Sequence, residues 1–207
     1  MAPVRAVIFD LDECVIDPRP AWAYTVEQTL LAITGRQLRV SNELVEEYRR
    51  RPWRHAFAIL TSDTGEADRC CALAETMYHR SGLKRLLVHD GIGMALDALR
   101  ASRVQVGAIS RLPHGQAVRQ MESTGVDRFV LVLSPTAPGN SWTPSDRVAE
   151  VLTYLGRTNQ EAAFVAADEE ENEDRSELLT IRAGWATKAS SGLHHPSEIA
   201  DVLRGRD

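Results

Sequence analysis

Val4-Arg5-Ala6-Val7-Ile8-Phe9-Asp10-Leu11-Asp12 decides how this chain folds. Residues 4–9 are apolar apart from Arg5 and rich in β-branched side chains, the pattern of a strand buried on both faces of a parallel sheet, and Asp10 ends the run. Beyond it, Trp22, Val26, Leu30, Leu31 and Ile33, then Leu44, Val45 and Tyr48, recur at helical spacing. Gly35 breaks that run and Ser41 stands as an N-cap ahead of Leu44, so two helices are expected. Residues 54–60 and 66–80 continue the helical pattern, with Asp63-Thr64-Gly65 as the turn between them.

The pattern then alternates. Helices are expected at 91–100, 115–124, 145–155, 176–182 and 196–203, and strands at 104–109, 129–133, 163–167 and 185–189. Alternation of this kind means βαβ units, and the fold class expected is α/β with a doubly wound parallel sheet. In such sheets ligands sit outside the carboxyl ends of the strands. Asp10 and Asp12 follow the first strand, Ser110 the second, and Asp168 the strand at 163–167.

Composition narrows the function classes. The 207 residues, 43% hydrophobic and 26% charged, describe a globular chain long enough to bury a substantial core. A net charge of -5 argues against a nucleic-acid partner, which calls for a basic footprint. The apolar run after Met1-Ala2-Pro3-Val4-Arg5 is too short for a signal segment or membrane span, so no membrane association is expected. Three cysteines, Cys14 and the vicinal Cys70-Cys71, fit a reducing, cytoplasmic setting, and a monomer or homodimer is expected. His89, His114 and the pair His194-His195 lack metal-ligand spacing and read as loop residues.

The segment Val7-Ile8-Phe9-Asp10-Leu11-Asp12-Glu13-Cys14-Val15-Ile16-Asp17 resembles the first signature of the haloacid dehalogenase superfamily, a hydrophobic strand followed by Asp-x-Asp. Glu13 and Cys14 stand where phosphatases of that family usually carry Gly and Thr. Val106-Gly107-Ala108-Ile109-Ser110 looks like the second signature, whose hydroxyl holds a phosphoryl group, and Phe164-Val165-Ala166-Ala167-Asp168 looks like the acidic fourth. Near Ser141-Trp142-Thr143-Pro144 the family's third signature would carry a Lys, and none is there; the chain's lysines are Lys84 and Lys188. Arg111 or Arg147 is the candidate substitute for that charge.

The resemblance implies a core of residues 1–17 and 85–207 with a four-helix cap at 18–84 that closes over the site and selects substrate. It also implies Mg²⁺ held by Asp10, the Asp12 backbone carbonyl and Asp168, as oxygen ligands suit that ion. The chemistry of paired carboxylates at this spacing stands beside the family likeness. One can attack phosphorus to form an acyl phosphate, and the other, two residues on, can protonate the leaving oxygen and then take a proton from water. Arg111 would add a charge-assisted bond to the phosphate or to a carboxylate of a small-molecule substrate.

Taken alone, Asp-x-Asp after a strand reads equally as a turn or an N-cap, and Ser110 as a helix cap. Glu169, Glu173 and Asp174 belong to an acidic run that reads as a solvated loop. Trp22, Phe57 and Tyr78 read as core of the helical stretch, while Trp53, between Arg51 and Arg54, could face a substrate. The first expectation is a Mg²⁺-dependent phosphatase of a small phosphomonoester. The missing Lys keeps two others open: a protein of this fold with a binding or regulatory role, and a hydrolase of a non-phosphate bond.

Overall fold

The computed structural model describes residues 3–49, 51–136, 143–167, 178–187 and 192–205. In chain order these form β1 (Ala6–Asp10), β2 (Ile16–Asp17), α1 (Arg19–Thr34), α2 (Asn42–Tyr48), α3 (Trp53–Leu60), α4 (Thr64–Met77), β3 (Leu87–Val88), α5 (Ile92–Ala101), β4 (Gln105–Pro113), α6 (His114–Thr124), β5 (Val132–Thr136), α7 (Pro144–Leu155), β6 (Ala162–Ala166), β7 (Leu179–Arg182), α8 (Gly184–Thr187) and α9 (Glu198–Arg204). The chain divides into two units, residues 1–17 with 88–207, and residues 18–87. A wide helical turn, Tyr78–Gly82, and a tight one, Leu83–Arg85, carry the second unit past α4.

The first unit is built on a five-stranded sheet of order β5-β4-β1-β6-β7, every pair parallel, which bears out the α/β class read from the alternation. All five residues of β1 are buried, as expected of a central strand covered on both faces. On one face Ala6, Ile8, Ile109, Phe164 and Ala166 pack against Val148, Val151, Leu152 and Leu155 of α7. Gly107 permits that approach, since a Cβ there would meet Val151 Cγ1 at 2.4 Å. Helices α5 and α6 also pack on β4.

The second unit is helical, with its own core of Trp22, Val26, Leu30, Val45, Ala56, Phe57, Ala67, Cys70 and Ala74. Its helix ends follow the sequence signals. Ser41 Oγ accepts the Leu44 N–H, Asp63 Oδ1 accepts the Glu66 N–H at 2.8 Å, and Gly35 closes α1 at φ 68°. Trp53 stacks on Trp22 at 6.0 Å between centroids and touches Phe57 and Tyr78, so it joins this core.

Three expectations at element level are corrected. Residues 179–182 form β7, not a helix: Leu-Thr-Ile-Arg extends beside β6 with Phe164 opposite Thr180 and Val165 opposite Ile181. Residues 184–187 form a helical turn in place of the expected strand at 185–189. The third core strand starts at Val132 because Phe129, 6% exposed, is spent on the turn after α6, under the guanidinium groups of Arg100 and Arg128. Among the described residues no helix is long and apolar enough to cross a membrane, and all three cysteines are free thiols.

Candidate active site

Asp10 is the last residue of β1 and is 1% exposed. Its Oδ1 accepts the main-chain N–H of Asp12 at 3.0 Å, so the side chain caps the turn that follows it. That turn, Leu11–Val15, is wide: the Ile16 N–H reaches back to the Leu11 carbonyl. It swings Asp12 out of the strand line toward Ser110 and Arg111 of β4, just past Ile109, which lies in register with Asp10. The ladder between β4 and β5 is irregular between Ile109 and Pro113, a local break of the kind that re-aims side chains at a site.

There the Asp12 carboxylate accepts two hydrogen bonds, from Ser110 Oγ at 2.8 Å and from the Arg111 N–H at 2.6 Å. The Leu112 N–H in turn donates to Ser110 Oγ at 3.0 Å, fixing that hydroxyl on Asp12. The Arg111 side chain, 35% exposed, turns back to bring Nη2 within 3.9 Å of Asp10 Oδ2. Asp10, Asp12, Ser110 and Arg111 are thus together. Asp168 lies outside the described residues, as do Ser141, Trp142 and the acidic run after Asp168.

Burial pushes the Asp12 carboxyl up to about 6, and the charge of Glu13, itself 6% exposed, pushes the same way. The Arg111 N–H, the Ser110 hydroxyl and the Arg111 charge oppose that shift without cancelling it. A carboxyl poised near 6 can give and take a proton near neutral pH.

Of the two arginines considered as substitutes for the missing Lys, Arg111 reaches Asp10 and Arg147 is engaged elsewhere. Arg147 Nη1 donates to Glu150 Oε2 at 3.2 Å and lies 3.5 Å from Ser134 Oγ, while the buried Ser134 hydroxyl donates to Glu150. Where the Lys was expected, Thr143 caps α7 by accepting the Asp146 N–H at 3.2 Å, with Pro144 at the first helical position. A cavity of about 240 Å³ lined by Arg5, Leu99, Ser102, Val104 and Leu203 lies at the amino end of β1, the opposite end from Asp10.

Two contributors went unread in the sequence. His89 Nε2 donates to the Glu13 carbonyl at 3.0 Å, and Trp185 Nε1 donates to the Cys14 carbonyl at 3.0 Å. His89 read as a loop residue, and Trp185 as part of a strand.

The family model for haloacid dehalogenase-like hydrolases matches residues 7–175, which spans both units and every described site residue. The chain belongs to the haloacid dehalogenase-like hydrolases. Among solved structures, this hydrolase is similar to a haloacid dehalogenase-superfamily hydrolase, subfamily IA, variant 1, from Geobacter sulfurreducens, at 19% identity over 97% of this chain and 96% of that one, TM-score 0.81. It is also similar to a predicted phosphoglycolate phosphatase from Haemophilus somnus (12% identity, 98% and 99% covered, TM-score 0.73) and to a haloacid dehalogenase-like family hydrolase from Streptococcus pneumoniae (13%, 100% of both, TM-score 0.70). At these identities the likeness is one of fold. No curated protein matches the chain.

Proposed function

We propose that this hydrolase is a phosphatase that cleaves a small, soluble phosphomonoester through a phosphorylated Asp10, acting in the cytoplasm as a monomer or homodimer. The observation that carries the reading is the Asp12 carboxyl, held by Ser110 Oγ and the Arg111 N–H and pushed up by burial, two residues from a buried carboxylate at the end of the central strand. The name of the Haemophilus somnus neighbour points the same way.

Asp10 Oδ2 attacks phosphorus while the ester P–O bond breaks, and the leaving oxygen takes the proton of Asp12. Water then attacks the same phosphorus and gives a proton to Asp12; the acyl phosphate bond breaks, releasing inorganic phosphate and restoring Asp10. The Arg111 guanidinium offsets the approach of an anionic phosphate to an anionic nucleophile. Ser110 keeps Asp12 oriented between the two steps and can turn its hydroxyl to the transferring group.

The residues also fit a divalent cation. Asp10 is almost fully buried with the positive charge of Arg111 3.9 Å away, and among the described residues no three His, Cys, Asp or Glu side chains group as metal ligands, so a further ligand must come from beyond them. The Asp10 carboxylate and the Asp12 backbone carbonyl are hard oxygen donors of the type Mg²⁺ takes, with Asp168 as the third ligand from the sequence. When bound, that ion would supply charge neutralisation between the nucleophile and the phosphate.

Hydrolysis of a phosphometabolite panel and of an aryl phosphate, with and without Mg²⁺, tests the reading beside Asp10→Asn. Mg²⁺-dependent phosphate release abolished by the substitution is expected; release that survives Asp10→Asn removes the nucleophile assignment. One observation favours a second reading, a protein of this fold that binds without turnover: Thr143 caps a helix where the charge of the third signature would stand. Saturable binding of a phosphometabolite with no release, under the conditions of the first assay, would select it.

A further inference from the structure

We propose that His89 and Trp185 are positioning residues that hold the Leu11–Val15 turn and thereby set where the Asp12 carboxyl stands against Asp10; the catalytic part of this inference rests on the role given to Asp12 above. A helical turn of five residues is too short to support itself, because its nucleation cost is spread over almost no internal hydrogen bonds. Its last carbonyls also lack partners within the turn.

In this chain those carbonyls are taken in sequence by donors from outside. The Glu13 carbonyl accepts from His89 Nε2 at 3.0 Å, the Cys14 carbonyl from Trp185 Nε1 at 3.0 Å, and the Val15 carbonyl from the His89 main-chain N–H at 3.1 Å. A carbonyl only accepts, so Nε2 is the protonated nitrogen of His89 in this contact. Both donors come from firmly placed backbone. The His89 carbonyl accepts the Ile92 N–H at the start of α5, and Trp185 follows Ala183, whose N–H donates to the Ala166 carbonyl at the end of β6.

The consequence is geometric. Asp12 meets Ser110 Oγ and the Arg111 N–H only if the turn keeps its width, and an imidazole and an indole hold its Glu13 and Cys14 carbonyls. Loss of either donor lets the turn relax and moves the carboxyl by a fraction of an ångström. That misplacement acts on turnover and leaves substrate capture nearly intact.

The test uses the full chain with Trp185→Phe, His89→Leu and His89→Gln. Gln carries its amide nitrogen about as far from the backbone as Nε2, so it restores the donor. Two readouts are taken: hydrogen–deuterium exchange of the peptide spanning residues 11–16, and steady-state hydrolysis of an aryl phosphate with Mg²⁺. Trp185→Phe and His89→Leu are expected to speed exchange in that peptide selectively and to lower kcat by about ten- to hundredfold with KM within about twofold. His89→Gln is expected to recover most of what His89→Leu loses in both. Unchanged exchange and turnover in Trp185→Phe, or a His89→Gln variant no better than His89→Leu, overturns the proposal. If the parent protein turns over no phosphomonoester, the phosphatase reading falls by itself, and the exchange comparison still decides whether these two side chains hold the turn.

Discussion

Asp12 carries the clearest consequence at the scale of single residues. Its carboxyl is raised from 3.8 to about 6, so the folded protein holds that proton more tightly than the unfolded chain does. The stabilisation this represents is complete below pH 3.8 and is lost as pH rises through about 6. In metal-free protein, thermal melts across that window should show the parent losing on the order of 3 kcal/mol relative to Asp12→Asn, whose melting point should be flatter with pH. Equal pH profiles would mean that the carboxyl titrates as it does in water. Arg111 gives a second expectation. Arg111→Met should lower kcat/KM for phosphate release by on the order of a hundredfold, and Arg111→Lys should recover part of it, since the point charge returns without the fork.

The elements show why so much of this site could be read in advance and where reading stopped. Asp10 ends β1 and Asp12 follows it in the turn, where a parallel sheet places functional residues, and the apolar, β-branched run before them is legible locally; Ser110 lies inside β4, which runs on to Pro113 beyond the 104–109 read from the sequence. The segment at 179–182 was misread because a short mixed run fits a helix turn as well as a strand; its pairing with β6, far away in sequence, decides. His89 and Trp185 were invisible for the same reason, as their bonds span 76 and 171 residues and leave no periodicity behind. Two element-scale changes follow. Gly107→Ala forces a Cβ against the buried Val151 and should destabilise the protein by about 1–3 kcal/mol in denaturant melts. Asp63→Ala removes the cap of α4 and should cost about 1 kcal/mol.

For the whole molecule, the two units keep separate cores: the Trp22 cluster draws on helices of residues 18–87 alone, and the sheet cluster on the other unit alone. Separate cores permit separate opening. Trp22→Ala should therefore accelerate amide exchange across 18–87 while β1, β4 and β6 keep their protection; loss of protection in both together would show one cooperative body. The order of the sheet has a further result, for synthesis on the ribosome. The strand that carries Asp10 pairs with β4 on one side and β6 on the other, and neither exists until roughly a hundred residues later. The nascent chain can gather its helices first, while Ala6, Val7, Ile8 and Phe9 wait as an unpaired apolar segment of the sort chaperones hold. Within these 207 residues β1 is made before both of its neighbours, and it can pair with β4 about a hundred residues later and with β6 only after about fifty more.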